Sequence, residues 1–153
     1  MFSTYLRVVC LALLFIPALA QSQDSDRMKM TSSLEPKEAA AGEKVTLKLK
    51  LDIQPGFHTY PTVQADPNAK DFTTNIRVKS GPLESDGAAK EPKPKEKFDP
   101  DLKATIGYFE DMTEIEVPFK VKAGTPAGVT KITIRIQTQV CDDKNCLPFV
   151  ETL

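Results

Sequence analysis

The feature that most constrains the fold is an alternation of apolar and polar residues that recurs along the chain. The stretch 44–53 reads KVTLKLKLDI, with an apolar side chain at every second position. A period of two places these side chains on one face of a β-strand. The pattern returns at 115–121 and 132–140 and, more briefly, at 72–78. Because no stretch beyond the first twenty residues has a sustained helical period, we predict an all-β, antiparallel β-sandwich.

The start of the chain has the layout of a secretory signal peptide. Arg7 precedes an apolar run that ends in small residues at Ala18 and Ala20. This run is shorter than the roughly 20 apolar residues of a membrane-spanning helix, so cleavage is expected. We predict a signal peptide at 1–20, a flexible mature N-terminus at 21–30 and one domain at 31–153. The mature protein is expected to be soluble and exported, without membrane insertion after signal cleavage.

Charge and motifs exclude several classes of function. The chain has 20 Lys and Arg against 21 Asp and Glu, without a basic stripe, so nucleic acid is not an expected partner. Glycine-rich phosphate loops, Gly-x-Ser-x-Gly elbows and His-Glu-x-x-His helices are missing from the sequence. A single histidine, His58, removes most Ser-His and Cys-His arrangements. We expect no cofactor.

Two cysteines remain after signal cleavage, Cys141 and Cys146, on either side of the sequence DDKN. Four intervening residues suit a hairpin loop, whose flanks can approach the Cα separation of about 5.5 Å that a disulfide prefers. The alternation of the last strand puts Cys141 on its polar face, so Cys141 is predicted to lie off the core.

The residues alone leave three interpretations of this pair open. A static hairpin disulfide is common in exported proteins. A ring of this size stabilises by only about 2 kcal/mol, and strained or exposed disulfides are easily reduced, which favours a reversible redox pair. A metal site is disfavoured, because two thiols and the distant His58 do not complete the four ligands of structural zinc. We predict no metal.

A long segment at 81–103 is rich in Gly, Pro, Lys and Glu. Loops beyond about 12–15 residues in compact domains are usually functional or disordered. We expect core contacts from this segment only at Leu83, Phe98 and Leu102.

Several stretches together resemble the N-terminal periplasmic domain of the bacterial thiol-disulfide interchange protein DsbD. They occur in the order found in that family: an alternating strand, PGFHTYP at 55–61, a proline-rich segment, IGYFEDMTEIEVPFKV at 106–121 and QVCDDKNCLPFV at 139–150. The last is the most specific, a cysteine pair that leaves a strand and is followed at once by Leu-Pro.

The resemblance implies an immunoglobulin-like sandwich that works as a periplasmic thiol-disulfide exchange carrier. Its expected partners are a thioredoxin-like electron donor and oxidised periplasmic thiol proteins. The resemblance makes Cys146 the cysteine of the intermolecular mixed disulfide and Cys141 its resolving mate. It places His58 and Tyr60 beside the disulfide, and Phe98 in a cap loop over the pair.

Whether the chain is itself an enzyme, as a protein-disulfide reductase component, stays open at this point. The full-length family continues into a multi-helix membrane domain and a thioredoxin-like domain, whereas this sequence ends at Leu153. We therefore expect either a stand-alone domain served by separate partners or a sandwich kept for another use. The alternative function is a non-enzymatic immunoglobulin-like interaction module with a structural hairpin disulfide.

Overall fold

The structure, a computed structural model, describes residues 26–153 as an antiparallel β-protein. The predicted signal peptide, 1–20, and residues 21–25 lie outside the described residues. A three-residue 3-10 helix, Pro67–Ala69, lies between the second and third strands. The strands are β1 (Met28–Glu35), β2 (Lys44–Ile53), β3 (Asn75–Ser80), β4 (Leu83–Ser85), β5 (Lys95–Asp99), β6 (Ala104–Tyr108), β7 (Met112–Val121), β8 (Thr133–Cys141) and β9 (Cys146–Thr152). The predicted all-β, antiparallel class is confirmed.

Two sheets enclose the core. One has the strand order β1-β2-β7-β4 and the other the order β3-β8-β9, while β5 and β6 form a separate hairpin. Facing side chains of the two sheets form one apolar cluster, which includes Leu47, Leu49, Leu51, Ile115, Val117, Phe119, Ile134, Ile136, Val140 and Phe149. Within 26–153, no helix is long and apolar enough to cross a membrane.

The three strongest alternating stretches form the strands that they predict. Strand β2 has the predicted bounds of 44–53, and its apolar positions are buried. It pairs with β7 so that Leu49 lies opposite Ile115, and both side chains face the same core. In β8 the inward stripe contains Ile134, Ile136 and Val140. Burial of one face therefore fixes the register of these strands.

The first strand differs from the prediction for the N-terminus. Residues 28–30, which were predicted to be flexible, belong to β1. Met28 is fully buried and pairs with Ile53, at the end of β2. The short sequence MKMTSSLE has little alternation of its own, and its backbone is ordered by the ladder with β2.

The segment at 81–103 also differs from the prediction, because strands occupy much of it. Leu83 lies in β4 and is buried, as expected. Phe98 and Leu102 are instead 61% and 40% exposed, so their predicted core contacts are wrong. Phe98 lies on β5, which pairs with β6 in a separate two-stranded sheet and not with a strand of the two core sheets.

The β5–β6 hairpin is fixed to the sandwich through its inner strand. Phe109, just after β6, exchanges two backbone hydrogen bonds with Thr59, at 2.8 and 3.0 Å. The side-chain amide of Gln64 then takes the place of a neighbouring strand. Its Oε1 accepts from the Gly107 N–H at 2.8 Å, and its Nε2 donates to the Gly107 carbonyl at 2.8 Å. A Cβ at position 107 would lie only 3.1 Å from Gln64 Oε1, so glycine permits this approach.

We predict that Gln64→Ala loosens the hairpin without unfolding the sandwich. The substitution leaves the Gly107 N–H and carbonyl without these partners, which costs about 1–3 kcal/mol for a buried polar group. Amide hydrogen exchange across β5 and β6 should accelerate, while exchange in β2 and β7 should not change. Gln137→Ala, at an exposed position of β8, is the matched control. Hairpin amides that exchange at the wild-type rate in Gln64→Ala would contradict the proposed role of the Gln64–Gly107 hydrogen bonds.

Candidate functional site

The candidate site is built around a disulfide between Cys141, at the end of β8, and Cys146, at the start of β9. The two residues are directly opposite in the ladder, with Cα atoms 4.0 Å apart. Cys141 exchanges both of its backbone hydrogen bonds with His58, each at 2.9 Å. Its N–H and carbonyl therefore point away from β9. Cys141 and Cys146 form a non-hydrogen-bonded pair, the type in which facing side chains come closest.

The loop between the cysteines is closed by Asp142. Its Oδ1 accepts from the backbone N–H groups of Lys144 and Asn145, at 2.8 and 2.7 Å. These two hydrogen bonds lower the pKa of the Asp142 carboxyl, with a smaller contribution from Arg27. The Asp142 N–H donates to the Asn145 carbonyl at 2.9 Å. The sequence DDKN is thus a self-capped turn that holds the two strand ends together.

The two sulfur-bearing residues differ in exposure. Cys141 is 1% exposed, so the prediction that it lies off the core needs correction: it is outside the main apolar cluster but is buried. The polar face of β8 is covered there by the segment that carries His58 and Tyr60. Cys146, in contrast, is exposed. Of the two residues, Cys146 is therefore the one that presents surface to an incoming molecule.

Tyr60 is the side chain that lies against the disulfide. Its hydroxyl is 3.2 Å from Cys141 Sγ and 3.9 Å from Cys146 Sγ. It is also 3.5 Å from His58 Nε2. Burial raises the pKa of Tyr60, and the nearby Asp99 carboxylate raises it further. The phenol therefore keeps its proton at neutral pH and has a hydrogen to donate toward sulfur.

His58 forms the neighbouring wall of the site. Its ring makes edge contacts with Tyr60 and Tyr108, at centroid distances of 5.6 and 5.4 Å. Burial lowers the pKa of His58, and Lys97 also lowers it, whereas Glu110 opposes the shift. The imidazole is accordingly neutral near pH 7. The structure thus brings His58 and Tyr60 together with both cysteines.

Phe98, expected from the resemblance to cap the pair, lies on the outer hairpin strand and is largely exposed. The hairpin contributes Tyr108 to the ring cluster instead. Lys97 and Asp99, on either side of Phe98, influence the pKa values of His58 and Tyr60. Strand β5 therefore passes close to the site even though the Phe98 ring faces solvent.

A group of buried threonines behind Tyr60 was not identified from the sequence. Thr138 occupies an inward position of β8, where its hydroxyl is 2.8 Å from the Thr59 hydroxyl and accepts from Thr74 at 2.9 Å. The Thr74 hydroxyl is within hydrogen-bonding distance of the Tyr60 backbone carbonyl as well, and its single hydrogen serves one of these two acceptors at a time. The signal in the sequence was the polar residue within the apolar stripe of β8. These contacts hold the Thr59–Tyr60 backbone against the strand that carries Cys141.

No group of three or more His, Cys, Asp or Glu side chains that could hold a metal ion occurs among residues 26–153.

We predict that His58 makes the folding stability fall on acidification. A depressed folded-state pKa means that the unfolded chain binds the proton more tightly, so stability is lost as the pH falls from about 6.5 through the folded pKa. His58→Gln should weaken this loss. Urea unfolding of the wild type and of His58→Gln at pH 7.5 and pH 5 measures how much unfolding free energy each protein loses. The contributions of the carboxylates cancel when the two losses are compared. An equal loss in the two proteins would contradict the proposed burial of the neutral imidazole.

Comparisons with known proteins give a family match over most of the chain. The family model described as "Thiol:disulfide interchange protein DsbD, N-terminal" matches residues 31–153. Among curated protein sequences, none matches significantly.

Two solved structures are similar to this chain. The N-terminal domain of DsbD from Neisseria meningitidis in the reduced form has 14% identity and a TM-score of 0.48, with 75% of this chain and 76% of that chain covered. The N-terminal periplasmic domain of ScsB from Proteus mirabilis has 12% identity and a TM-score of 0.60, with 87% of this chain covered. The match spans 47% of the ScsB chain, about half its length. The likeness to ScsB shows a shared fold.

Proposed function

Because the chain belongs to the DsbD N-terminal family, we propose that it is a periplasmic carrier of reducing equivalents that works through the Cys141–Cys146 disulfide. Thiol-disulfide exchange is the general role that family membership and the disulfide support. The proposed donor is a thioredoxin-like protein, and the proposed acceptors are oxidised exported thiol proteins. The protein acts as a protein-disulfide reductase component and uses no cofactor beyond its two sulfurs.

The observation that carries this proposal is the unequal exposure of the two cysteines. A disulfide that serves only as a clamp has no need of an accessible sulfur, and an exposed disulfide is more easily reduced. Here Cys146 is exposed at the start of β9, while Cys141 is buried against the Tyr60 hydroxyl. This arrangement supports the proposal that electrons enter at Cys146 and that Cys141 is its resolving mate.

Loading proceeds by two exchange steps. The donor thiolate attacks Cys146 Sγ, the Cys141–Cys146 bond breaks, and Cys141 leaves as a thiolate that takes up a proton. The second donor thiol, as its thiolate, then attacks the donor sulfur of the mixed disulfide and releases Cys146 as a thiolate. The donor is left with a disulfide and the carrier with a dithiol, so two electrons have moved.

Delivery reverses these roles. The Cys146 thiolate attacks the disulfide of an oxidised acceptor, forming a new mixed disulfide and releasing one acceptor thiolate. Cys141 releases its proton to solvent, as Cys146 did before its own attack, and the Cys141 thiolate attacks Cys146 Sγ, which re-forms the Cys141–Cys146 bond and releases the second acceptor thiolate. Both acceptor thiolates take protons from solvent.

Tyr60 and His58 shape the site for these steps. The Tyr60 hydroxyl, which remains protonated, donates a hydrogen bond toward Cys141 Sγ as negative charge develops on the departing sulfur. His58 packs against the Tyr60 ring and keeps the phenol in place. Phe98 and its hairpin limit the directions from which a thiol approaches the pair.

The first test uses cysteine trapping. Cys141→Ser should accumulate mixed disulfides with exported thiol proteins, because Cys146 can form the intermolecular bond and nothing resolves it. Cys146→Ser should not accumulate them, because Cys141 is buried. Non-reducing electrophoresis followed by reduction measures the adducts, with the double variant Cys141→Ser/Cys146→Ser as the control. Equal trapping by the two single variants would contradict the assigned roles.

The second test is the reduction potential of the Cys141–Cys146 disulfide. A carrier should lie within the range of known exchange proteins, roughly −180 to −270 mV, whereas a structural disulfide lies below about −300 mV. Equilibration with glutathione or dithiothreitol buffers measures the value. A potential below about −300 mV would instead support an immunoglobulin-like interaction module with a structural disulfide.

A further inference from the structure

We propose that the open edge of β9 at Cys146 is a docking site for a short, extended backbone segment of the partner protein, next to the partner's reactive cysteine. The inference rests on the proposed function, because it concerns the mixed disulfide at Cys146. It adds a backbone recognition element to the exchange reaction. The segment is expected to hydrogen-bond to the Cys146 backbone while the sulfurs exchange.

The hydrogen-bond pattern of β8 and β9 shows which backbone groups point outward. At one end of the pair, Cys141 exchanges both bonds with His58, on the side away from β9. At the other end, Ile134 and Leu153 exchange both bonds with each other, at 3.0 and 2.9 Å. Facing residues of antiparallel strands alternate between hydrogen-bonded and non-hydrogen-bonded pairs. Counting from either end of the β8–β9 ladder gives the same assignment of pairs.

This alternation determines the direction of each group on β9. Three residues of β9 lie opposite residues of β8: Cys146 opposite Cys141, Pro148 opposite Gln139 and Val150 opposite Gln137. These three pairs are of the non-hydrogen-bonded type, so the backbone groups of the three β9 residues point away from β8. The Gln139 carbonyl supports the assignment, since it accepts from the Thr59 hydroxyl on the opposite side of β8.

The outward side of β9 is open in the described part of the chain. Strand β9 is the last strand of its sheet there. Cys146, Leu147 and Pro148 are all exposed, Leu147 at 48%. An edge strand with free backbone groups beside a reactive sulfur is suited to pairing with another chain.

Pro148 limits the length of that pairing. It occupies an outward position where any other residue would present an N–H. From Cys146 onward, the edge offers the Cys146 N–H and carbonyl and then the Pro148 carbonyl, and an outward N–H returns only at Val150. This interruption favours pairing of two or three residues around Cys146 over a long added strand.

The geometry of a mixed disulfide brings such a segment to the edge. The Cα atoms of disulfide-bonded cysteines lie about 4.4–6.8 Å apart, and neighbouring strands lie about 4.8 Å apart. This range includes the strand spacing, so a mixed disulfide at Cys146 permits the partner backbone to lie where the next strand would be. A small thiol without a peptide backbone gains nothing from the same edge.

The test compares two adducts of the Cys141→Ser variant. In one, Cys146 is joined to a thioredoxin that retains only its attacking cysteine; in the other, it is joined to 2-mercaptoethanol. We expect the Cys146 N–H to exchange with solvent about tenfold more slowly in the thioredoxin adduct, as one added hydrogen bond allows. The N–H groups of Leu147 and Phe149, which point toward β8, should be protected in both. Equal exchange of the Cys146 N–H in the two adducts would overturn the proposal.

A second measurement changes the edge itself. Pro148→Ala restores an outward N–H and should speed formation of the thioredoxin adduct about twofold to fivefold, without a change for 2-mercaptoethanol. Pro126→Ala, at an exposed position in the β7–β8 connection, is the matched control. Equal changes for both thiols, or no change for either, would overturn the proposal. Both adducts are prepared from the Cys146 thiol after activation with thionitrobenzoate, so their formation does not depend on the reduction potential of the Cys141–Cys146 pair. A very low potential would therefore refute the carrier function, and the hydrogen-exchange measurement would still test the docking site.

Discussion

The reciprocal backbone hydrogen bonds between His58 and Cys141 are the interaction on which the site depends. They attach the segment after the Pro55-Gly56 turn to the end of β8, on the side away from β9. Because both Cys141 backbone groups are used there, Cys141 and Cys146 face each other as a closely spaced pair. The next residue, Thr59, then bonds to Phe109 and thereby brings in the β5–β6 hairpin. One ladder contact thus positions the disulfide, the Tyr60 side chain and the hairpin together.

This attachment also makes the two sulfurs chemically different. Cys141 is covered by the strand segment that carries Tyr60, and its sulfur faces the Tyr60 hydroxyl. Cys146 comes after the Asp142-capped turn and is exposed within residues 26–153. Burial disfavours a thiolate at Cys141, and the Tyr60 hydroxyl beside the sulfur offsets part of that cost. An exposed sulfur is suited to form the bond with another protein.

Regular alternation allowed the sequence to predict the strands of the core, and the immunoglobulin-like antiparallel sandwich is confirmed. Features that depend on distant parts of the chain were not predictable in the same way. Strand β1 is ordered by its ladder with β2, and Cys141 is buried by a segment some eighty residues earlier. Gln64 holds the hairpin through its side chain, which leaves no periodic signal. Period-two patterns report which face of a strand is buried, but they do not report what covers its polar face.

The distribution of cover around the disulfide restricts how another protein can approach it. On the β3 side of β8, the site is closed by His58, Tyr60 and the hairpin, which Gln64 and the Thr59–Phe109 pair hold in place. On the opposite side, β9 is an edge strand, and Cys146 and Leu147 are exposed there. Under the proposed function, the β9 side is therefore the open approach to Cys146 for a partner thiol. The arrangement that protects Cys141 from solvent is the same one that leaves the edge of β9 as the route to the pair.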